Sequence, residues 1–400
     1  MTEVRSNDVA MRASSQPAQP QQSKHALESA RPYIGGQAVL EGVMMRAPRS
    51  FSIVVRRRDG SLLVRERGVP DERQGIRRWP LVRGVSSLVE SLRLGSESLR
   101  FSVEQMEKDL NAEEEQASKT AAAPHGLSAL SAFGLSLFSL LSADDGQGVI
   151  SGGAGKEGDK KGGRGAMGVM LVFAIAFLIA LPQAAAAGIN RIFNLGLEVQ
   201  SPMFQVITGA LKLSVVVGYM LLIRRVPDIR RVFQYHGAEH KTISTYEAGE
   251  ELVVANARRK TTLHPRCGTT FLVMVALVSI LVFTAVGGLL PRIHTGSAIA
   301  DNVLFFLEKL PFLPLIAAVT FEIQRVFARY CTTGPLRALL WPGFLVQKIT
   351  TIEPEDDQLE VALASLKATL FREHGEVPEV ADDVSFANYE ALLRAPHLRT

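Results

Sequence analysis

The chain has 400 residues, 47% hydrophobic and 21% charged, with a mean hydropathy of +0.14. That is too apolar for an ordinary water-soluble protein and too charged for membrane spans alone, so the composition calls for both parts. The net charge of +4 does not mark a nucleic-acid binder, because the basic residues gather at the ends of apolar runs, where anionic lipid attracts them.

Residues 1–30, rich in Gln, Ser, Ala and Pro, are expected to form a disordered tail, with none of the apolar core of a signal peptide. Residues 31–125 are expected to form a cytosolic region. It starts with the glycine-rich run from Ile34 to Arg46, in which Gly35, Gly36 and Gly42 permit close backbone approach and Gln37 and Glu41 stand four apart. A catalytic or partner-binding loop and a packed turn both fit that run. Phe51 to Arg58 and Ser61 to Arg67 alternate polar and apolar residues around Asp59-Gly60, which predicts a β-hairpin. From Leu81 to Val103, Leu81, Val85, Leu88, Val89, Leu92 and Leu99 recur at helical spacing, predicting an amphipathic helix that lies on a membrane or packs on the hairpin. Residues 126–143 are a Ser-rich apolar stretch too short and polar to span, expected at the interface. Residues 144–165 read as a flexible Gly-rich linker.

Residues 166–330 carry the membrane signal. Ala166 to Gly188 and Thr269 to Leu290 hold no charge, Met203 to Ile223 is interrupted only by Lys212, and Leu310 to Ala328 contains Pro311, Pro314, Glu322 and Arg325. About four transmembrane segments are expected, the last either spanning or re-entrant. The expected fold class is therefore mainly α: a polytopic helical membrane protein with a small N-terminal α+β cytosolic region. The loop 224–268 is dense in Arg and Lys while the preceding loop offers only Arg191, so that loop, the N-terminus and residues 331–400 are expected in the cytosol. An unpaired ammonium at Lys212, in mid-span, would cost about 3 kcal/mol, which calls for an ion pair or a polar pathway. Beyond Trp341 to Thr351, the acidic run from Glu353 to Asp357 starts a helix reaching about Phe371, expected as a solvated terminal helix.

The chemistry concentrates in His236-Gly237-Ala238-Glu239-His240, an H-x-x-E-H sequence beside an apolar span. On a helix, residues four apart share a face, so His236 and His240 can ligate one zinc ion while Glu239 acts as general base. The same pattern is the signature of inverzincin metalloproteases. Downstream, His264 and Cys267 add an imidazole and a thiol, both suited to zinc. If all four bind, the site is closed and structural; with Glu322 or His264 as third ligand it keeps an open position. Glu322 is equally accounted for by an ion pair with Arg325 or Lys212, and Glu247 is a weaker carboxylate. The two motif histidines also suit helix capping or lipid headgroups. Cys267 and Cys331 make no disulfide framework.

The run Ile34-Gly35-Gly36-Gln37-Ala38-Val39-Leu40-Glu41-Gly42-Val43-Met44-Met45-Arg46, together with Arg230 to Thr242 and His264 to Thr269, resembles the YqhQ-like bacterial membrane family. That family is catalogued as a domain of unknown function, 1385, and labelled a predicted metal-dependent enzyme. The resemblance runs from about Tyr33 to Leu366. The expected function is a zinc-dependent hydrolase on a peptide or lipid-linked substrate, with membrane lipids as partners, no nucleic acid, and oligomerisation open. The alternative is a non-enzymatic membrane scaffold, insertion factor or transporter with a structural metal or polar cluster.

Overall fold

The computed structural model describes residues 31–69, 79, 81–117, 181–286, 289–291, 295–331, 334–375 and 382–395. The expected tail, interfacial stretch and linker, and most of the run 166–188, lie outside them. Residues from Ile34 onward form one compact unit.

The predicted hairpin is present as β3 (Ser50–Arg56) and β4 (Leu62–Gly68), closed over Gly60, whose φ of +86° suits a residue without a Cβ. It is part of a larger antiparallel sheet of order β1-β2-β3-β4-β5. The glycine-rich run, expected as a loop or turn, supplies β1 (Gly35–Val39) and β2 (Gly42–Arg46), and β5 (Val384–Phe386) pairs with β4. Both faces of the sheet are covered. Val43, Met45, Val54 and Leu62 belong to the main core, whereas Val39, Met44, Phe51, Ile53 and Val55 pack with Leu94 and Phe101 of α1 (Val82–Ala117).

After α2 (Leu181–Ile192) comes α3 (Pro202–Ile223), started by Ser201, whose side chain accepts from the Phe204 amide, with Pro202 in the first turn. The motif helix α4 (Pro227–Glu247) also begins on a proline, with Asp228 in its first turn. Then follow α5 (Val254–Arg258), α6 (Gly268–Val286), α7 (Ala298–Lys309), a 3-10 turn at Leu310–Phe312, α8 (Leu313–Tyr330), a 3-10 segment at Pro335–Leu340, α9 (Trp341–Thr350), α10 (Asp356–His374) and α11 (Tyr389–Arg394). Among the described residues three stretches, Pro202–Ile223, Gly268–Val286 and Val303–Phe327, are long and apolar enough to cross a membrane.

One expectation is corrected outright. α10 is not a solvated terminal helix: Val361, Ala362, Leu363, Ala364, Ser365, Leu366 and Ala368 are fully buried between the sheet and α4. Its Ser365 and Thr369 face β3. The Ser52 hydroxyl donates to the Ser365 carbonyl at 2.6 Å and lies 2.8 Å from the Thr369 hydroxyl, while Ser50 bonds the Thr369 carbonyl and the Glu373 carboxylate. Buried hydroxyls that satisfy one another cost little, so a helix of mixed polarity occupies the core.

Candidate metal centre

His236, Glu239 and His240 lie in the middle of α4, which is buried from Val232 to Ile243 because β1, β2 and α10 pack around it. The two glycines that permit this lie at the site. A Cβ on Gly237 would stand 2.1 Å from the Ile352 carbonyl oxygen, so only glycine lets the 350–354 segment pass this close to α4. A Cβ on Gly36 would stand 2.8 Å from the Glu239 carboxylate, so β1 lies directly over that side chain.

The two imidazoles are held in the same way. His236 donates from Nδ1 to the Thr350 carbonyl at 3.0 Å, and His240 from Nδ1 to the Thr262 carbonyl at 2.5 Å. A carbonyl only accepts, so both rings carry their proton on Nδ1 and turn an Nε2 lone pair inward. Cys267 completes the group: Sγ is 3.3 Å from His236 Nε2, and the ligand atoms of His236, His240 and Cys267 all lie within 4.8 Å of one another. Two imidazole nitrogens and one sulfur, all buried, suit zinc in softness and in number.

The remaining candidates divide. His264 lies beside the group, its ring centroid 5.7 Å from that of His240, but its Nε2 faces Glu247 at 3.3 Å, and Glu247 also pairs with Arg266. Glu322 does not join the centre. Its carboxylate is gripped by Arg83 of α1, with Nε 2.7 Å from Oε1, a partner the sequence reading did not consider. Gln37 lies against Gly95 of α1. Glu41, at the β1–β2 turn with φ +50°, accepts two bonds from Arg231 at 2.5 and 2.6 Å and one from the Tyr235 hydroxyl at 3.2 Å. It ties the sheet to α4. Lys212 makes no hydrogen bond or ion pair with a described residue. Nearby Lys309 donates to Gln205 Oε1 at 2.7 Å and lies 4.2 Å above the Phe305 ring.

Gln347 of α9 was missed by sequence reasoning and carries the loop that presents Cys267. Its Oε1 accepts from the His264 amide at 2.8 Å, and its Nε2 donates to the His264 carbonyl at 2.7 Å and to the Thr270 hydroxyl at 2.6 Å. Gln324 of α8 donates to the Cys267 carbonyl at 3.3 Å. An isolated glutamine in an apolar helix was the available signal.

The electrostatics follow from burial and mutual contact. Burial alone would push the Cys267 thiol up and the His236 imidazole down. Their contact reverses both, holding the thiol well below its ordinary value and raising His236 to about 9. Burial lowers His240 and His264, and lifts the Glu239 carboxyl to about 7. Glu239 accepts no hydrogen bond from a described residue.

A family profile described as a protein of unknown function, DUF1385, matches residues 79–372. The chain belongs to this family. The matched range holds every donor of the centre, while β1 and β2 precede it. The chain is also 28% identical over 355 residues to the uncharacterized protein YqhQ of Bacillus subtilis strain 168, across 87% of this chain and 94% of that one. No solved structure matches.

Proposed function

We propose that this member of DUF1385 is a multi-pass bacterial inner-membrane protein whose cytosol-facing centre binds zinc through His236, His240 and Cys267 and carries out hydrolysis, on a peptide or lipid-linked substrate. The observation that carries the reading is the pair of Nδ1-to-carbonyl bonds, which aim both Nε2 atoms at the Cys267 sulfur. With His264 engaged by Glu247, the donors among the described residues number three rather than four, the arrangement of catalytic rather than structural zinc sites. Bound zinc supplies Lewis acidity that polarises a carbonyl or phosphoryl oxygen. Glu239, buried beside the ligands and without a hydrogen-bond donor of its own among the described residues, takes the proton from the attacking water and returns it to the leaving group.

The cytosolic orientation rests on the basic loop 224–268. Glu239→Gln is the discriminating substitution. It is expected to retain zinc and thermal stability while failing to replace the wild-type chain in a strain deleted for it, whereas His240→Ala loses zinc as well. Complementation by Glu239→Gln at normal protein level would overturn the hydrolytic reading.

A further inference from the structure

The first part of α1 has an exposed stripe that changes chemistry along its length. Val82, Val85 and Val89 are 39%, 37% and 48% exposed, and at the same helical spacing the stripe continues as Arg93 and Arg100. Just ahead, Leu81 is exposed and Trp79 is 65% exposed. Beyond the switch the opposite side of the helix packs on the sheet through Leu94 and Phe101, and at the switch Glu90 pairs with Arg46 of β2. Before it, the partner is α8. A Cβ on Gly84 would come 3.3 Å from the Ala318 Cα, and Arg83 grips Glu322.

Two rulers then agree on depth. Gly84 lies about 14 Å along the helix from Arg93, and Ala318 lies about 10 Å along α8 from the exposed Arg325, taking 1.5 Å per residue. Both place the Gly84–Ala318 contact well inside an apolar layer of about 30 Å that begins near the two arginines. The Arg83–Glu322 pair joins two side chains that would each be costly alone within an apolar layer.

We propose that residues 81–89, led by Trp79, form a re-entrant helix. It enters the bilayer from the side of the sheet, reaches about half its thickness, and presents Val82, Val85 and Val89 to acyl chains. The inference rests on the reading of α8 as membrane-embedded. Its consequence is mechanical: α1 braces α8 two residues from Gln324, which holds the Cys267 carbonyl, so the membrane anchors the loop that supplies the sulfur ligand.

The chain has two tryptophans, and Trp341→Phe leaves Trp79 as the only one. In phosphatidylcholine vesicles brominated either near the chain ends or near the glycerol, Trp79 emission should be quenched more strongly by the deep bromines. Trp79→Phe, reporting Trp341 at the start of α9, should show the opposite order. Stronger shallow quenching, or none, in protein that resists alkaline carbonate extraction would overturn the re-entrant helix alone. Extraction of the whole protein by carbonate would remove the membrane reading and this inference with it. If a tryptophan variant fails to fold, cysteine variants decide, because Cys267 and Cys331 are buried. With a membrane-impermeant maleimide on both sides, Val85→Cys should stay unreactive and Arg93→Cys should label; labelling of Val85→Cys would contradict the proposal.

Discussion

The metal centre and the apolar helices treat their polar groups in opposite ways. Around α4, His236, His240, Lys241 and Gln347 each find a partner inside the protein: two carbonyls for the imidazoles, the Arg258 carbonyl and Glu353 for the lysine, and the His264 backbone for the glutamine. In α3, Lys212 has none among the described residues, and apolar side chains such as Leu222 of α3 and Leu281 of α6 lie 61% and 70% exposed. The contrast shows where specificity is stored. The centre is defined by directional bonds between distant segments, so it tolerates little change, whereas the helices long and apolar enough to cross a membrane present mainly an apolar surface.

Three substitutions break or sharpen that contrast. The largest effect belongs to Gly237→Ala. The added methyl would press on the Ile352 carbonyl and displace the segment that holds His236, destabilising the fold by about 3 kcal/mol in detergent denaturation. A change within a few tenths would show that the close passage is not needed. Next is Gln347→Leu, which keeps the volume but orphans the His264 amide and carbonyl, at about 2 kcal/mol. It should also weaken metal retention, because the Cys267 loop loses its clamp. The smallest effect, with the opposite sign, is expected for Lys212→Leu. Removing an ammonium with no partner among the described residues from this apolar helix should leave folding unchanged or stabilise it by about 1 kcal/mol. Clear destabilisation would reveal a hidden partner and blur the contrast.

The same distinction governs what could be read from the sequence. The β3–β4 hairpin was legible because Asp59-Gly60 sets the turn and the flanking residues alternate. β1 and β2 were not, since consecutive apolar residues there go to opposite faces: Val43 and Met45 serve one core and Met44 the other. α10 misled in the reverse direction, because the acidic run at its start suggests water while its Ser365 and Thr369 are buried against Ser52 of β3. At the centre, His236, Glu239 and His240 were legible from local spacing, and Cys267 from its pairing with His264. Glu322 stood open between a ligand and an ion pair with Arg325 or Lys212, and its partner, Arg83, was not legible because it lies far away in sequence. Gln347 acts on the His264 backbone and the Thr270 hydroxyl, far from it in sequence, so its isolation in an apolar helix was the one local mark it carried.

The central claim is that His236, His240 and Cys267 converge to bind zinc. Full-length protein, purified in detergent without chelator, should carry about one zinc per chain, and the His236→Ala, His240→Ala double variant should carry none while remaining folded. Folded wild-type protein with no bound zinc, or a double variant that keeps it, would contradict the account.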